Sequence, residues 1–463
     1  MSPQGAHLVV TRHAQALVVG GGISGLVCAY ALQKAGLEVL LVEASARPGG
    51  VLNSVSRNGF LLELGPQSFT GTAQLRSLCA NLGIADQLIE APAKAPRYVL
   101  VSSRLKAVPM SPLALFTSPL IDGSTKWALV RDIFGKSVPP EGDESVAAFV
   151  RRKFSERLLD RLVGPFVSGV FAGDPEKLSV RSAFPQLHEA ESARGSIVRG
   201  VLRPAKSKKG PRERPTLNTF REGNETLVRA LGNKLASSIL LRTRATNVYR
   251  QKDGAYHVSL EGSNNDSVSA KSVIFATPTD VTGGLLGQLE PSFKPLLTSV
   301  EYAAVAVVSL GYAKKDVSHS LDGFGFLVPR SAGLRILGTV WNSSLFPGRA
   351  PDGHTLLTGF VGGATDPAAA RLNHEELSGI VHREIAPLLS IQSSPMFSNV
   401  TIWPRALPQY NLGHGDRLAS IGKNLARFPG LFLTGNYLRG PAIGACAEQA
   451  LAVAEEVAAV AER

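Results

Sequence analysis

The chain of 463 residues has few cysteines, no long apolar run and fewer acidic than basic residues. Its three cysteines, Cys28, Cys79 and Cys446, lie far apart and form no CxxC pair, which argues against a disulfide framework and against a thiolate metal site. The nine histidines lack paired ligand spacing, so we predict no bound metal. No apolar stretch reaches the ~18 residues that span a bilayer. The N-terminus has the pattern of neither a signal peptide nor a transit peptide.

The charge balance restricts the partners that the chain can attract. Its 49 Lys and Arg residues outnumber 37 Asp and Glu residues, and the formal net charge of +12 would suit nucleic acid, an anionic membrane or an acidic small molecule. No zinc-finger spacing occurs and the aromatic residues are not interleaved with basic ones, so we expect no nucleic-acid partner. The cysteine usage suits a reducing compartment. We expect the bacterial cytoplasm, either soluble or peripheral on the inner face of the cell membrane.

A strand, a glycine turn and a helix are predicted near the start of the chain. Residues 15–19 have the pattern of a strand, a helix follows to about residue 35, and a second strand ends at Glu43. Between strand and helix the GxGxxG pattern places Gly20 for a tight turn, Gly22 for approach of a pyrophosphate and Gly25 for close helix packing. Glu43 would accept hydrogen bonds from ribose hydroxyls. A structural glycine turn is the alternative, but strand, helix and acid in register favour a dinucleotide.

The middle of the chain is less regular. Prolines recur over residues 91–140, where AVPMSPLALFTSPLI is either a hydrophobic lid over a cleft or a patch that dips into a membrane. Residues 144–180 predict one or two helices interrupted at Gly164 and Pro165. The basic stretch 194–214 predicts a flexible loop.

The second half of the chain returns to regular structure. Residues 240–262 alternate like antiparallel strands, and β structure dominates residues 305–360. The C-terminal sequence LFLTGNYLRGPAIGACAEQALAVAEEVAAVAER predicts a strand, a glycine-rich turn and a long helix. This repeats the arrangement at the N-terminus, so we expect the two termini to share one domain.

A second glycine element decides between cofactors. Ala44 and the pattern RxGG follow Glu43 at once, and an arginine before a glycine pair can neutralise phosphate while bare backbone accommodates a bulky group. This element resembles the flavin-dependent amine oxidase and desaturase superfamily, where it lies beside the diphosphate. In the same resemblance LELGPQSF lies near the isoalloxazine ring, the C-terminal turn lies near the ring or ribityl chain, and the backbone at Val248 contacts adenine.

The resemblance therefore implies non-covalent FAD. Cys446 near the C-terminal turn is expected to be a small buried residue and not a tether for the cofactor. The residues expected to bind FAD are Gly20, Gly22, Ile23, Ser24, Gly25, Glu43, Ala44, Arg47, Gly49, Gly50, Gly65, Pro66, Gln67, Val248, Trp403, Gly435, Asn436 and Ile443.

Within this superfamily the chain most resembles the protoporphyrinogen oxidase family, over nearly its whole length. The segments that carry the resemblance are PRYVLVSSRLKAVP, FVSGVFAGDPEKLSVRSAFP, GFGFLVPR with ILGTVWNSSLFP, and GNYLRGPAIGAC. The resemblance implies that Arg97 pairs with a substrate propionate and that the backbone of Gly169 faces the macrocycle. It implies that Phe324, Leu327 and Phe360 sandwich the macrocycle, and we expect Val340 to line the same slot. By residue type alone, Arg97 would be a surface arginine and the apolar residues would be core.

The activity implied is FAD-dependent oxidation of protoporphyrinogen IX to protoporphyrin IX, the penultimate step of haem biosynthesis. The flavin would take hydride from a meso carbon in three rounds, with O2 as acceptor and H2O2 as product. We assign no catalytic base. The alternatives are oxidation of coproporphyrinogen III to coproporphyrin III, a flavin amine oxidase or carotenoid desaturase, and a flavoprotein scaffold that passes on a tetrapyrrole without turnover. The expected partners are porphyrinogen and O2, with hand-off to a ferrochelatase, peripheral membrane contact and a homodimer as further expectations.

The expected fold is α/β (α+β), with a Rossmann-like FAD-binding domain, a mixed-sheet substrate domain and a mainly helical insertion. The expected segments are 1–78, 228–285 and 403–463 for the FAD-binding domain, 196–227 and 286–402 for the substrate domain, and 79–195 for the partly apolar, membrane-facing insertion.

Overall fold

Two seven-stranded sheets and two smaller sheets form the framework of the chain in the computed structural model, which describes residues 11–202, 216–262 and 266–461. The strands of the described residues are β1 (Thr11–Val19), β2 (Val39–Val42), β3 (Ser54–Arg57), β4 (Phe60–Glu63), β5 (Phe69–Thr70), β6 (Leu88–Glu90), β7 (Arg97–Val101), β8 (Arg104–Ala107), β9 (Leu217–Phe220), β10 (Ile239–Leu240), β11 (Arg244–Arg250), β12 (Tyr256–Glu261), β13 (Ser267–Phe275), β14 (Tyr302–Ala313), β15 (Gly325–Leu327), β16 (Ile336–Val340), β17 (His354–Gly362), β18 (Phe397–Pro408) and β19 (Leu431–Leu433). The α-helices are α1 (Ile23–Lys34), α2 (Ala73–Leu82), α3 (Pro112–Thr117), α4 (Gly123–Phe134), α5 (Val146–Lys153), α6 (Glu156–Leu158), α7 (Gly164–Phe171), α8 (Val180–Ala183), α9 (Pro185–Arg194), α10 (Ile197–Leu202), α11 (Glu225–Lys234), α12 (Thr279–Leu289), α13 (Phe293–Thr298), α14 (Asn342–Leu345), α15 (His374–Leu389), α16 (His414–Leu425) and α17 (Ile443–Ala461).

The first large sheet joins the two ends of the chain. Its strand order is β10-β2-β1-β13-β12-β11, with β19 also paired to β13. The apolar second half of β1 is fully buried because parallel strands flank it on both sides and α1 covers one face. Helix α17 packs against α1, so the first and last elements share one core. The predicted βαβ unit is confirmed, and β1 begins four residues before the predicted start at residue 15.

The second large sheet is mostly antiparallel and has the order β18-β14-β17-β16-β15-β7-β8. Strands β7 and β15 are the parallel pair within it. Helix α15 covers one face with an apolar stripe that includes Leu377, Val381 and Ile385. The opposite face of this sheet carries residues of the candidate active site. The β structure predicted for residues 305–360 is confirmed.

A mainly helical insertion, α3 to α10, lies between β8 and β9. The predicted interruption at Gly164 and Pro165 is wrong, because α6, a π-helical turn (Leu159–Val163) and α7 form one continuous helical run. A π turn widens the hydrogen-bond ladder just before Pro165, which has no N–H to donate.

The loop predicted from residue 194 is also wrong at its start. Residues 197–202 form α10, which is held by the carboxylate of Asp132 through Ser196 Oγ and the Val198 N–H. The rest of that stretch, residues 203–214, lies outside the described residues. No helix in the described part of the chain is both long and apolar enough to cross a membrane.

Candidate active site

The glycine turn between β1 and α1 has the backbone that a diphosphate needs. Gly20 has φ +106°, and a Cβ at Gly25 would lie 1.9 Å from the carbonyl oxygen of Gly20, so a side chain there would force α1 away from the turn. A Cβ at Gly22 would meet no heavy atom within 4 Å, which leaves open space beside the start of α1. No side chain caps the N-terminus of α1, so its N–H groups remain available to an anion.

The second glycine pair lies directly on the first. Gly49, with φ +104°, donates its N–H to the carbonyl of Gly21 at 2.7 Å and forms an isolated bridge with Gly22. Arg47 stiffens this turn, since its guanidinium donates to the carbonyl oxygens of Pro48, Gly50 and Leu52. The two bare segments therefore form one cradle. In this geometry Arg47 acts as a brace for the cradle, and its expected contact with phosphate stays a prediction.

Glu43 lies at the tip of β2, beside the glycine turn. One carboxylate oxygen accepts the N–H of Gly21 at 2.6 Å, and the other accepts the N–H and the Oγ of Ser45 at 2.7 and 2.6 Å. These three donors fix the carboxylate at the carboxyl end of β2, where it would accept hydrogen bonds from the hydroxyls of a ribose. Ala44 follows on the exposed surface.

Ile23 and Ser24 begin α1, and Ile443 begins α17. Ile23 and Ile443 are buried in the same apolar core, and Ser24, which follows Ile23, is also buried. The starts of the two helices thus converge behind the cradle. Val248 lies in the middle of β11, paired with Val258 and buried in the core on the other side of the sheet.

Two aromatic side chains hold the backbone carbonyls of the C-terminal turn. Tyr410 Oη donates to the carbonyl of Asn436, and His414 Nε2 bonds the carbonyl of Tyr437 at 2.8 Å. The two rings stack with centroids 4.7 Å apart. Gly435 has φ +153°, which allows the chain to leave β19 toward α17. Sequence reasoning did not identify Tyr410 or His414 because they follow β18, more than twenty residues before the motif they support.

Residues 64–67, which we call the strap, follow β4 and form hydrogen bonds both with the second sheet and with the residue that precedes α11. Its Leu64 carbonyl accepts the indole N–H of Trp403 on β18 at 2.7 Å, and its Pro66 carbonyl accepts the amide of Asn224 at 2.8 Å. A Cβ at Gly65 would lie 2.1 Å from the carbonyl oxygen of Val51, so only glycine fits this crossing.

A buried ion pair anchors the residue just before the strap. The side chains of Glu63 and Arg349 are each 2% exposed and their charged atoms lie 3.4 Å apart. Glu63 also accepts bonds from Ser54 Oγ at 2.6 Å and the N–H of Asn224 at 2.9 Å, while Arg349 donates to Thr219 Oγ1 at 2.5 Å. Burial raises the pKa of Glu63 to about 7, although Arg349 lowers it. An acid at the end of the apolar strand FLLE was the signal that sequence reasoning missed.

Strand register places the predicted substrate residues in two rows on one face of the second sheet. In the first row Arg97 pairs with Gly325, which pairs with Val340. Residues that pair directly across strands point to the same face. The glycine therefore leaves a gap between the cation and the aliphatic side chain.

The second row repeats this pattern two residues further along β15. Leu327 pairs with Gly338, which pairs with Phe360. Helix α7 lies over this row, since a Cβ at Gly169 would lie 2.4 Å from Cδ2 of Leu327. Phe324 joins Val340 and Phe360 in one apolar cluster. We call the face formed by these two rows, with α7 lying over it, the slot.

Two apolar side chains of α7 are exposed. Phe166 and Val170, at positions i−3 and i+1 from Gly169, lie on the same side of α7 and are exposed. The sequence FVSGVF carried this helical spacing, but exposure could not be predicted from it. The slot also connects to the strap, because Trp403 pairs with Val305 on the same sheet and donates to the strap carbonyl.

Arg97 at the end of the first row has no carboxylate partner among the described residues. Its guanidinium contacts Met110 Sδ at 3.9 Å and lies 5.5 Å from the ring centroid of Phe324. A cation in this position is available to an anionic ligand.

Comparison with known proteins assigns the family. The model of the flavin-containing amine oxidoreductases matches residues 23–458. The chain belongs to this family. Protoporphyrinogen oxidase 1 of Arabidopsis thaliana chloroplasts is 36% identical over 95% of this chain and 87% of its own length, and coproporphyrinogen III oxidase of Bacillus subtilis is 30% identical over 95% and 97%.

Solved structures confirm the fold. A structure from Exiguobacterium sp. 255-15 aligns at a TM-score of 0.79 and 24% identity, covering 98% of this chain and 100% of that one. Putrescine oxidase bound to putrescine aligns at 0.71 and 18% identity, covering 97% and 100%. The mixed helix and sheet architecture expected from the sequence is thus confirmed.

This member of the flavin-containing amine oxidoreductases is an FAD-dependent oxidoreductase. The glycine cradle fits the diphosphate of a dinucleotide, and the family's cofactor is a flavin, so the cofactor is FAD. When bound, FAD supplies the acceptor for hydride from a substrate. The individual cofactor and substrate contacts stay predictions, although the structure brings their residues together around one cradle, one strap and one slot.

Proposed function

We propose that this enzyme oxidises a porphyrinogen, with protoporphyrinogen IX as substrate, protoporphyrin IX as product and O2 as the final acceptor. The observation that carries the proposal is the slot, in which strand register places apolar residues and bare glycines in two rows on one face of the sheet, with Arg97 at one end without a carboxylate partner among the described residues. A tetrapyrrole is a flat apolar disc with anionic arms, which this shape and charge would suit.

The residues of the slot would position the substrate and exclude water. Leu327 and Phe360 would contact the macrocycle from the sheet, and the backbone of Gly169 would face it from α7. Arg97 would hold a propionate and so fix the orientation of the disc. No carboxylate or histidine in the slot is assigned as a base.

The test is anaerobic mixing of the holoenzyme with protoporphyrinogen IX, coproporphyrinogen III and an amine, followed by flavin absorbance. Bleaching by protoporphyrinogen IX supports the proposal. Bleaching by the amine alone would assign the enzyme to the amine oxidases instead, and no bleaching by any of them would leave the tetrapyrrole-carrier hypothesis.

Coproporphyrinogen III is the second candidate, favoured by a second cation. Arg330 lies three residues beyond Leu327, the last residue of β15, whereas Arg97 pairs with Gly325, the first residue of that strand. Its hydrogen bond in the described part of the chain is a long one of 3.5 Å to the carbonyl of Gly362. Coproporphyrinogen III has two more propionates than protoporphyrinogen IX, and they could use this cation. Arg330→Gln should then lower turnover of coproporphyrinogen III and leave that of protoporphyrinogen IX unchanged.

We also propose peripheral contact with the inner face of a bacterial cell membrane. Trp127 and Phe134, 68% and 81% exposed, lie seven residues apart on α4, and Met110, 65% exposed, lies beside Arg97. We propose that these exposed apolar side chains contact the acyl region of the membrane surface. Sedimentation with anionic vesicles should fall for Trp127→Ser/Phe134→Ser, and unchanged sedimentation would contradict the contact. Hand-off to a ferrochelatase and a homodimer stay predictions.

A further inference from the structure

The amide of Gln67 is fixed by its surroundings. Its Nε2 donates to the carbonyls of Glu63 at 3.0 Å and Gly65 at 2.8 Å, so both amide hydrogens are used within the strap region. A reversed amide would place its oxygen against two carbonyl oxygens, which excludes that orientation. Gln67 therefore folds back on its own backbone and does not offer these hydrogens to a ligand.

The oxygen of this amide accepts from the second sheet. Asn342 Nδ2 donates to Gln67 Oε1 at 2.6 Å, and the two residues are 3% and 6% exposed. Asn342 begins α14, two residues after Val340 in the slot. One buried contact thus connects the wall of the slot to the strap.

The carbonyls of residues 63–66 all accept side-chain donors from Gln67, Trp403 or Asn224. The N–H groups of Gly65 and Gln67, in contrast, have no acceptor within the described residues. With the carbonyls of Leu64, Gly65 and Pro66 occupied, the strap has these N–H groups left for a ligand with acceptor atoms. An isoalloxazine ring carries such atoms along its edge.

We propose that Asn342 is a positioning residue for the flavin, which acts through Gln67 to hold the strap with its free N–H groups directed at the ring. This inference uses the predicted location of the strap beside the isoalloxazine and does not depend on the identity of the substrate. Without the Asn342 contact the amide of Gln67 loses its only side-chain anchor among the described residues, and the strap can shift. Donors aimed at the ring stabilise its reduced, more negative form, so their displacement should make the flavin harder to reduce.

The experiment measures FAD affinity and flavin reduction potential in Asn342→Leu, Gln67→Leu and the double variant, without any porphyrinogen. We expect Asn342→Leu to bind FAD about tenfold more weakly, as for the loss of one buried hydrogen bond, and to have a lower potential. Because Asn342 acts only through its contact with Gln67, the double variant should be no worse than Gln67→Leu, which also loses the two bonds from Nε2.

Ser343→Ala is the matched control. Ser343 is the next residue of α14, and its Oγ bonds Thr355 Oγ1 and the N–H of Leu356, so its loss removes two partly buried hydrogen bonds without touching the strap. An unchanged potential in Asn342→Leu, an equal change in Ser343→Ala, or additive effects in the double variant would each overturn the proposal. If Asn342→Leu does not fold, Asn342→Asp, which keeps the shape and loses the amide donor, is measured in the same way. Absence of porphyrinogen oxidation would contradict the proposed function alone.

Discussion

Replacing Arg349 by methionine should be one of the single changes that most destabilise the fold. The substitution Arg349→Met keeps an apolar chain of similar length but leaves the carboxylate of Glu63, whose side chain is 2% exposed, without its cation. Removing one partner of a buried pair costs about 3–5 kcal/mol in the free energy of unfolding, because the remaining charge stays desolvated. The bonds from Ser54 Oγ and the Asn224 N–H remain. We therefore expect the lower half of that range, about 3 kcal/mol.

The destabilisation caused by Arg349→Met should depend on pH in a definite direction. Burial raises the pKa of Glu63 to about 7 in the folded chain, above the ordinary value of 4.5 for the unfolded chain. The folded state therefore binds the proton more tightly, so the stability that Glu63 contributes is present below pH 4.5 and is lost as pH rises through about 7. Arg349 opposes this loss, so its removal should lower the free energy of unfolding by more at pH 8 than at pH 5.5.

The assay is urea unfolding of the FAD-saturated enzyme, followed by far-UV circular dichroism at pH 5.5 and pH 8. The double variant Glu63→Gln/Arg349→Met buries no charge and should unfold within about 1–2 kcal/mol of the parent. The reasoning is refuted if Arg349→Met costs less than about 1 kcal/mol at pH 8, or if the double variant is as unstable as Arg349→Met.

Three further predictions concern the ligands. Gly25→Ala should yield protein that retains little FAD and is nearly colourless, because its Cβ would lie 1.9 Å from the Gly20 carbonyl oxygen; a fully yellow preparation with the parent's flavin content would contradict it. Arg97→Ala should raise KM for porphyrinogen about ten- to hundredfold while FAD affinity is unchanged, since a charge-assisted hydrogen bond is lost; steady-state kinetics that match the parent would remove Arg97 from the site. Gly169→Val should narrow the slot against Leu327 and lower turnover at constant flavin content, measured by porphyrin fluorescence, and parent-like turnover would show that the substrate lies elsewhere.

Much of the cofactor cradle could be predicted from the sequence because it is local. Gly20, Gly22 and Gly25 lie in one stretch, and a tight turn at the start of a helix needs bare backbone whatever surrounds it. The same holds for the RxGG turn, whose Arg47 contacts reach no further than Leu52 among its carbonyl acceptors. Periodicity in the flanking strands and helices was sufficient to place both ends of the chain in a common unit.

The slot and the strap were decided by tertiary structure. The register of β7, β15, β16 and β17 brings Arg97, Leu327, Val340 and Phe360 to one face, and no local pattern encodes a register between strands so far apart in sequence. The helical run through Pro165 depended on a π turn that composition does not reveal. Gln67 and Asn342 are separated by 275 positions, and whether two such polar side chains are buried against each other depends on how the whole chain packs, not on either neighbourhood.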